Sequence, residues 1–476
     1  MVCPTEIPFS EGGIININNF ILDKYVPAKL SEPIYSALYA NEDSAVKAPT
    51  KHAQLLCTEL IWPFSRAGAL PLEVPIKTVK VLAEGDDEIK AKRILELAFE
   101  MKTLNNSHQP GDTIAILPMN NVNKVQKLLQ QMQLLNSAET TFQLQISSKC
   151  MKKNVKLPTY IPTLCTPYQL LRDCITIHAV PKKQFLSVLA SCCSDENEKA
   201  FLSCLSSKEA SCYYNELILE RGLTLLDLLE LCPSCTPTLE ILIEHLPRLL
   251  PRPYSLANNP LTDEVKIIFS ILPQKTGVTT DMLNNFATLC LKNINIPEPP
   301  KIVVYSRQTN HFCFTVKEAS EHNHILICVG TALAPFLGFL ELKEQLLGSK
   351  ALESLGDTWL FAGAVNEAYL PHRERILAYE EAGVLQRYYE AFSRVPNSSH
   401  HYVQEQIAAH AAEFVDFLFD EKTILYVCAD GGSISKSIEK TIADCITQIR
   451  HITFEEALLI IKAYKGSGKY REDLWL

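Results

Sequence analysis

The sequence predicts an α/β protein joined to a β-barrel: an antiparallel barrel interrupted by an inserted helical domain, then a parallel sheet with helices on its faces. Three observations lead there. Short strand-like runs separated by turn residues occur on both sides of a long middle segment. The middle segment instead repeats its apolar residues at helical spacing. From His324 onward, strand, turn and helix patterns alternate, as they do where a chain builds a parallel sheet.

Residues 1–50 mix Asn, Pro and Ser with short apolar pieces, so they are expected to form an extension or linker with little order. Residues 51–120 and 247–312 are assigned to the barrel. Ile76 to Leu82 reads as a strand, and Pro110-Gly111-Asp112 turns the chain into the short strand Thr113-Ile114-Ala115-Ile116-Leu117. Beyond the middle segment, Val265, Ile267, Phe269 and Ile271 alternate along one face, followed by Ile302-Val303-Val304-Tyr305.

Residues 121–246 form the inserted helical domain: Val122, Val125, Leu128 and Leu129 recur at helical spacing, as do Leu225, Leu228 and Leu229. Its last helix is expected to start at Thr236-Pro237, a capping Thr before a Pro suited to the first turn, and to run to Leu246. In residues 313–476, Ile325 to Val329 leads to a helix from Pro335, and Trp359-Leu360-Phe361 leads to one near Arg373. Ile424 to Cys428 then leads to a helix from Ser433.

A chain of 476 residues with 47% apolar and 21% charged residues is long enough for two or three folded domains. The net charge of -9 argues against a general nucleic-acid binder, which needs clustered Lys and Arg. Met1-Val2-Cys3-Pro4-Thr5-Glu6 has neither the basic start nor the apolar run of a secretory signal, so a cytoplasmic protein is expected. The uncharged stretch Ile325 to Leu340 is shorter than the roughly 20 residues of a membrane helix and is broken by Gly330 and Pro335.

The 16 cysteines follow no framework spacing and are expected to be reduced thiols, mostly packed as small hydrophobes. Cys232-Pro233-Ser234-Cys235 has the C-x-x-C form. It lacks the second pair that a zinc site needs, so it is read as structural and no metal site is expected.

Several segments carry chemistry. Arg252-Pro253-Tyr254-Ser255 combines a fixed charge able to hold a pyrophosphate, a ring able to cover a planar cofactor, and a hydroxyl able to bond near its reacting edge. Gly277-Val278-Thr279-Thr280 places free amides and two hydroxyls at the start of the helix containing Met282, Leu283 and Phe286, a good phosphate site. Cys328-Val329-Gly330-Thr331-Ala332-Leu333-Ala334-Pro335-Phe336 is a strand-to-helix turn against which a dinucleotide can lie. Ser393-Arg394 and Tyr402-Val403-Gln404 offer cationic and hydroxyl groups of the kind that bind a 2′-phosphate. Tyr426-Val427-Cys428-Ala429-Asp430 closes a strand, and the chain ends Asp473-Leu474-Trp475-Leu476.

These segments together resemble the FAD- and NADPH-binding half of the diflavin reductase family, whose barrel is of the ferredoxin–NADP reductase type and whose parallel domain is Rossmann-like. The resemblance covers most of the chain from about residue 70. In the helical domain, Ala179 to Leu186, Leu225 to Cys235 and Glu244-His245-Leu246-Pro247 are similar to the branch that serves methionine synthase.

The resemblance implies an NADPH-dependent flavoprotein reductase with FAD as cofactor. Arg252, Tyr254, Ser255, Gly277, Val278, Thr279 and Thr280 would hold FAD. Gly330, Thr331, Ser393, Arg394, Tyr402, Gln404 and Asp430 would hold NADPH, and Trp475 would stack on the flavin. Ser255, Cys428, Asp473 and Trp475 would surround the hydride path as catalytic residues. The chain departs from the family pattern where Cys328, Val329 and Ala332 replace Gly, Pro and Gly, where Ala364 replaces a second active-site Cys, and where His400 replaces a Lys.

No flavodoxin-like segment precedes the barrel, so no FMN site is expected. The implied acceptor is then a separate FMN-containing flavodoxin-like protein, a haem protein or methionine synthase, with no nucleic acid and no membrane span involved. Two alternatives stay open: a non-catalytic FAD-binding or regulatory protein that keeps the fold, and a reductase of small quinones or dyes.

Overall fold

The computed structural model describes residues 17, 32–40, 71–85, 93–100, 108–259, 264–272, 277–292, 298–307, 311–349 and 355–475. The expectation of little order in residues 1–50 lies outside the described residues except at 17 and 32–40. In chain order the strands are β1 (Tyr35–Tyr39), β2 (Leu72–Ala83), β3 (Arg93–Glu100), β4 (Thr113–Leu117) and β5 (Phe142–Ile146). There follow β6 (Arg252–Ser255), β7 (Glu264–Ile271) and β8 (Lys301–Arg307). The last are β9 (Asn323–Val329), β10 (Thr358–Ala364), β11 (Arg387–Phe392), β12 (Thr423–Asp430) and β13 (Tyr470–Trp475).

The chain divides into two compact units, one of residues 1–63 and 117–251, the other of residues 64–116 and 252–476. The first is built on helices. Val122–Gln131 buries Val125, Leu128 and Leu129 and is capped by Asn121, whose Oδ1 accepts the Asn123 N–H at 3.0 Å. Its core also takes Phe185, Phe201, Leu228 and Leu242 from the helices Lys183–Ser191, Glu196–Ser206, Leu225–Leu231 and Leu239–His245.

Two features of this unit differ from the sequence reading. β1, within the expected linker, pairs antiparallel with β5 from Tyr35↔Ile146 to Tyr39↔Phe142. The last helix starts at Leu239 with Thr238 as its N-cap, because the Thr236 N–H is committed to the Cys192 carbonyl at 3.1 Å.

The second unit holds a six-stranded sheet of order β6-β4-β8-β2-β3-β7 and a five-stranded sheet of order β11-β10-β9-β12-β13. In the first sheet β2 pairs antiparallel with β3 and β8, β3 with β7, and β4 with β6. In the second every pair is parallel.

β9 shows why the five-stranded sheet is buried on both sides. Leu326 and Cys328 join one core with Phe336, Phe339 and Leu360, while Ile325 and Ile327 join another with Phe361, Ile438 and Ile442. Such two-sided burial explains the near-continuous apolar run of its sequence. Among the described residues no helix is long and apolar enough to cross a membrane.

Candidate functional site

β9 and β12 are neighbours at the centre of the parallel sheet, and the chain winds outward from them in opposite directions. The crevice at their carboxyl ends is therefore the sheet's switch point, where open α/β sheets bind ligands. Local chemistry shapes it. β9 ends at Val329, and Gly330 takes φ +62°, a left-handed conformation that suits glycine. The short turn Gly330–Leu333 then enters the helix Ala334–Gly348 with Pro335 in its first turn. β12 ends at Asp430, whose Oδ1 accepts the Gly432 N–H at 2.6 Å just ahead of the helix Ser433–Arg450.

A cleft of about 520 Å³ opens there. Its walls include Val329 and Gly330 from the end of β9, Gly363 and Ala364 from β10, Ser393 after β11, Tyr402 and Gln404, and Ser433 and Ser437 of the following helix. Gln404 Nε2 donates to Ser437 Oγ at 3.1 Å, joining two of those walls. Ser393 is fixed by its N–H on the Ala364 carbonyl at 3.0 Å, and Tyr402 is 57% exposed. Of the residues expected to bind the dinucleotide, Gly330, Ser393, Tyr402 and Gln404 line the cleft. Thr331, Arg394 and Asp430 are not part of its lining. Arg394 follows Ser393 with its N–H on the Val365 carbonyl at 3.0 Å.

One residue short of the cleft, Cys328 and Cys428 are register partners across β9 and β12, and Cys428 is in turn the partner of Asp473 on β13. The antiparallel sheet meets this row: Ser255, at the end of β6, donates its hydroxyl to Asp473 Oδ2 at 2.8 Å. Ser255, Cys428 and Asp473, far apart in sequence, are thus brought together. Burial raises the Asp473 carboxyl above its usual range, against the opposing pull of Ser255 and Arg307. The Cys428 thiol is pushed well up, by burial first and then by Asp473. Trp475 ends the same strand, paired in register with Asp430 and 39% exposed, and its carbonyl accepts the Gly431 N–H at 2.8 Å.

Of the other expected cofactor residues, Arg252 and Thr280 stand near Tyr254. Its hydroxyl interacts with Thr280, and Arg252 stands close enough to act on it electrostatically; burial nevertheless pushes the phenol up to about 12. Its ring meets Phe269 edge-on at 6.3 Å between centroids. Gly277 is the N-cap of the helix Val278–Leu291, and among the described residues no side chain caps that end. Arg252 is exposed, and through Tyr254 one cation and one ring stand near Thr280 in the first turn of that helix.

Sequence reasoning missed Gly363, His401, Ser433 and Ser437, which also line the cleft. A signal existed only for the two serines, spaced four apart at the start of a helix and so on one face. Among the described residues no group of three or more His, Cys, Asp or Glu is placed to hold a metal ion.

Residues 69–280 match the family model described as "FAD binding domain". Methionine synthase reductase of Mus musculus is 32% identical over 437 residues, 86% of this chain and 62% of that protein. The Homo sapiens protein of the same name is 31% identical, over 85% of this chain and 61% of its own length. NADPH–cytochrome P450 reductase of Aspergillus terreus is 28% identical over 81% of this chain and 58% of that protein. The chain thus spans about three fifths of the length of these curated relatives. It is similar over about four fifths of its own length to methionine synthase reductases and to NADPH–cytochrome P450 reductases, and the match to the FAD binding domain covers residues 69–280.

Proposed function

We propose that this chain is an FAD-dependent oxidoreductase that takes a hydride from NADPH and passes electrons singly to a protein acceptor. The row formed by Ser255, Asp473 and Cys428 carries the reading, because it puts a hydroxyl, a half-buried carboxylate and a thiol beside the mouth of a nucleotide-sized cleft. The six-stranded antiparallel sheet is then the FAD-binding barrel.

The donor sets suit both groups. Arg252 and the first-turn amides of Val278, Thr279 and Thr280 fit a pyrophosphate, and Tyr254 fits one face of a flavin. The left-handed Gly330 turn, Ser393, Tyr402 and Gln404 fit NADPH, with Arg394 adjacent for a 2′-phosphate. FAD, when bound, supplies a ring that accepts two electrons with a hydride and releases them one at a time.

The chain's own residues orient and polarise. Ser255 spends its proton on Asp473 Oδ2, leaving its oxygen free to accept a hydrogen bond. Asp473, half-buried and close to the reacting edge, favours positive charge developing on a nicotinamide. Trp475, exposed at the strand end, covers a flavin face and yields to the nicotinamide.

Methionine synthase reductase relatives make methionine synthase the first acceptor to test, with a flavodoxin-like FMN protein or a haem protein as the others, in the cytoplasm. The purified protein is expected to be yellow and to bleach under anaerobic NADPH. Failure to hold FAD when soaked in excess sinks the assignment. Colour without bleaching favours a non-catalytic FAD-binding protein instead, for which the Val329 side chain in the cleft wall is the specific argument.

A further inference from the structure

The C-x-x-C sequence Cys232-Pro233-Ser234-Cys235 has a partner that its spacing does not reveal. Cys235 forms an isolated antiparallel bridge with Cys193, at the end of the helix Lys183–Ser191. The hydrogen bond of that bridge runs from the Thr236 N–H to the Cys192 carbonyl at 3.1 Å, beside the two cysteines rather than between them. They are therefore a non-hydrogen-bonded pair, the closer kind, in which Cα atoms typically stand about 4.5 Å apart. That separation lies inside the range of roughly 4.4–6.8 Å over which a disulfide closes without backbone movement.

The side chains agree with the backbone. Cys193 Sγ and Cys235 Sγ each donate to one and the same acceptor, the Leu189 carbonyl, at 3.4 Å. Two thiols on one oxygen lie on the same side of the bridge. Cys235 is wholly buried, whereas Cys193 is partly exposed and open to a small oxidant. Cys232, by contrast, places its carbonyl on the Cys235 N–H at 3.1 Å in a tight turn and is itself buried.

We propose that Cys193 and Cys235 form a dithiol site that a hydroperoxide converts reversibly into a cross-strand disulfide. In the first step the Cys193 thiolate attacks a peroxide oxygen and the O–O bond breaks, giving a sulfenic acid at Cys193 and releasing water after protonation. In the second step Cys235 sulfur attacks Cys193 sulfur, the S–O bond breaks, and the hydroxyl leaves as a second water. Two thiols lose two electrons and two protons, and one hydrogen peroxide becomes two waters. An external dithiol restores the pair by exchange. Cys235 is the resolving rather than the attacking thiol, because sharing a hydrogen bond with Cys193, and then burial, pushes its pKa far up.

The test uses the full chain in its native state. The reduced protein is treated with hydrogen peroxide, free thiols are alkylated, and the digest is mapped by mass spectrometry. The expected result is a linked peptide joining Cys193 to Cys235, a loss of two hydrogens in intact mass, and full reversal by dithiothreitol. Cys193→Ser and Cys235→Ser should each abolish the link, and Cys232→Ser should keep it. The wild-type map decides the matter even where a variant fails to fold. A link between Cys232 and Cys235, over-oxidation of Cys193 with no link, or an equal rate of linking in denaturant each overturns the proposal.

Discussion

Arg471 sits two residues before Asp473 on β13 and therefore shares its face of the strand. Its Nη1 lies 2.7 Å from Glu318 Oε1 and donates to the Cys313 carbonyl at 3.1 Å and the Tyr426 hydroxyl at 3.0 Å. Nε donates to the Gly468 carbonyl at 2.9 Å. On the opposite face Lys465 Nζ holds Glu472 at 3.0 Å. β13 is an edge strand with a ladder on one side only, so these clamps fix its register and with it Asp473 against Ser255. Arg471→Met should weaken the strand locally by about 2 kcal/mol, seen as faster amide exchange across residues 470–475. Unchanged exchange there would show that the ladder alone suffices.

At the site itself, Ser255→Ala removes a hydrogen bond that holds the Asp473 carboxyl down. The acid limb of the rate profile should move to higher pH, with hydride transfer slowed by about tenfold to hundredfold. A profile that keeps its limb would disconnect the two residues.

Lys343 offers a stability test away from the site. It is buried, donates to the Gly356 carbonyl and Thr358 Oγ1, and burial lowers its pKa to about 7 from 10.5. The folded pKa lies below the unfolded one, so between pH 7 and 10.5 the unfolded chain binds more protons and stability rises with pH. Lys343→Met should flatten that rise in urea titrations at several pH values.

At the scale of elements, the cleft depends on what its walls leave out. A Cβ on Gly363 of β10 would stand 3.0 Å from Val403 Cγ1 and 3.6 Å from Val329 Cγ2. Gly363→Val should therefore fill the cleft from the sheet side and raise KM for NADPH, leaving FAD content unchanged. Loss of FAD along with NADPH would mean the strand itself had shifted.

Much of this architecture was legible in the sequence where a segment carries its own signal. The buried strands β9 and β12 read as apolar runs, and the helix Val278–Leu291 announced its start through Gly277 and two threonines. Ser255, Cys428 and Asp473 were legible as residues because their motifs are distinctive; their meeting is a product of strand register. What escaped has no local signature. β1 pairs with a strand about a hundred residues away, Cys193 with Cys235 likewise through the fold, and Gly363 matters by the absence of a side chain. The two-residue error at Thr236 has the same origin, since a tertiary hydrogen bond to Cys192 outcompeted a good helix-start sequence.

For the whole molecule, the two compact units have separate apolar cores: Phe185, Phe201 and Leu242 lie in the core of the first, while the second has one core with Phe336 and another with Phe361 and Ile442. Units with their own cores unfold as separate cooperative transitions unless something couples them. Every residue assigned to FAD or NADPH belongs to the unit of residues 64–116 and 252–476. A ligand stabilises only the species it binds, by about 2.7 kcal/mol at a hundredfold excess over Kd. Scanning calorimetry should therefore resolve two transitions, and FAD should raise only one. Hydrogen exchange read on peptides from the helices of residues 122–245 and from the strands of residues 323–475 assigns each transition. If both sets of peptides are protected equally on adding FAD, the helical unit is energetically part of the cofactor site, and the inserted domain is a working piece of the reductase rather than a module carried by it.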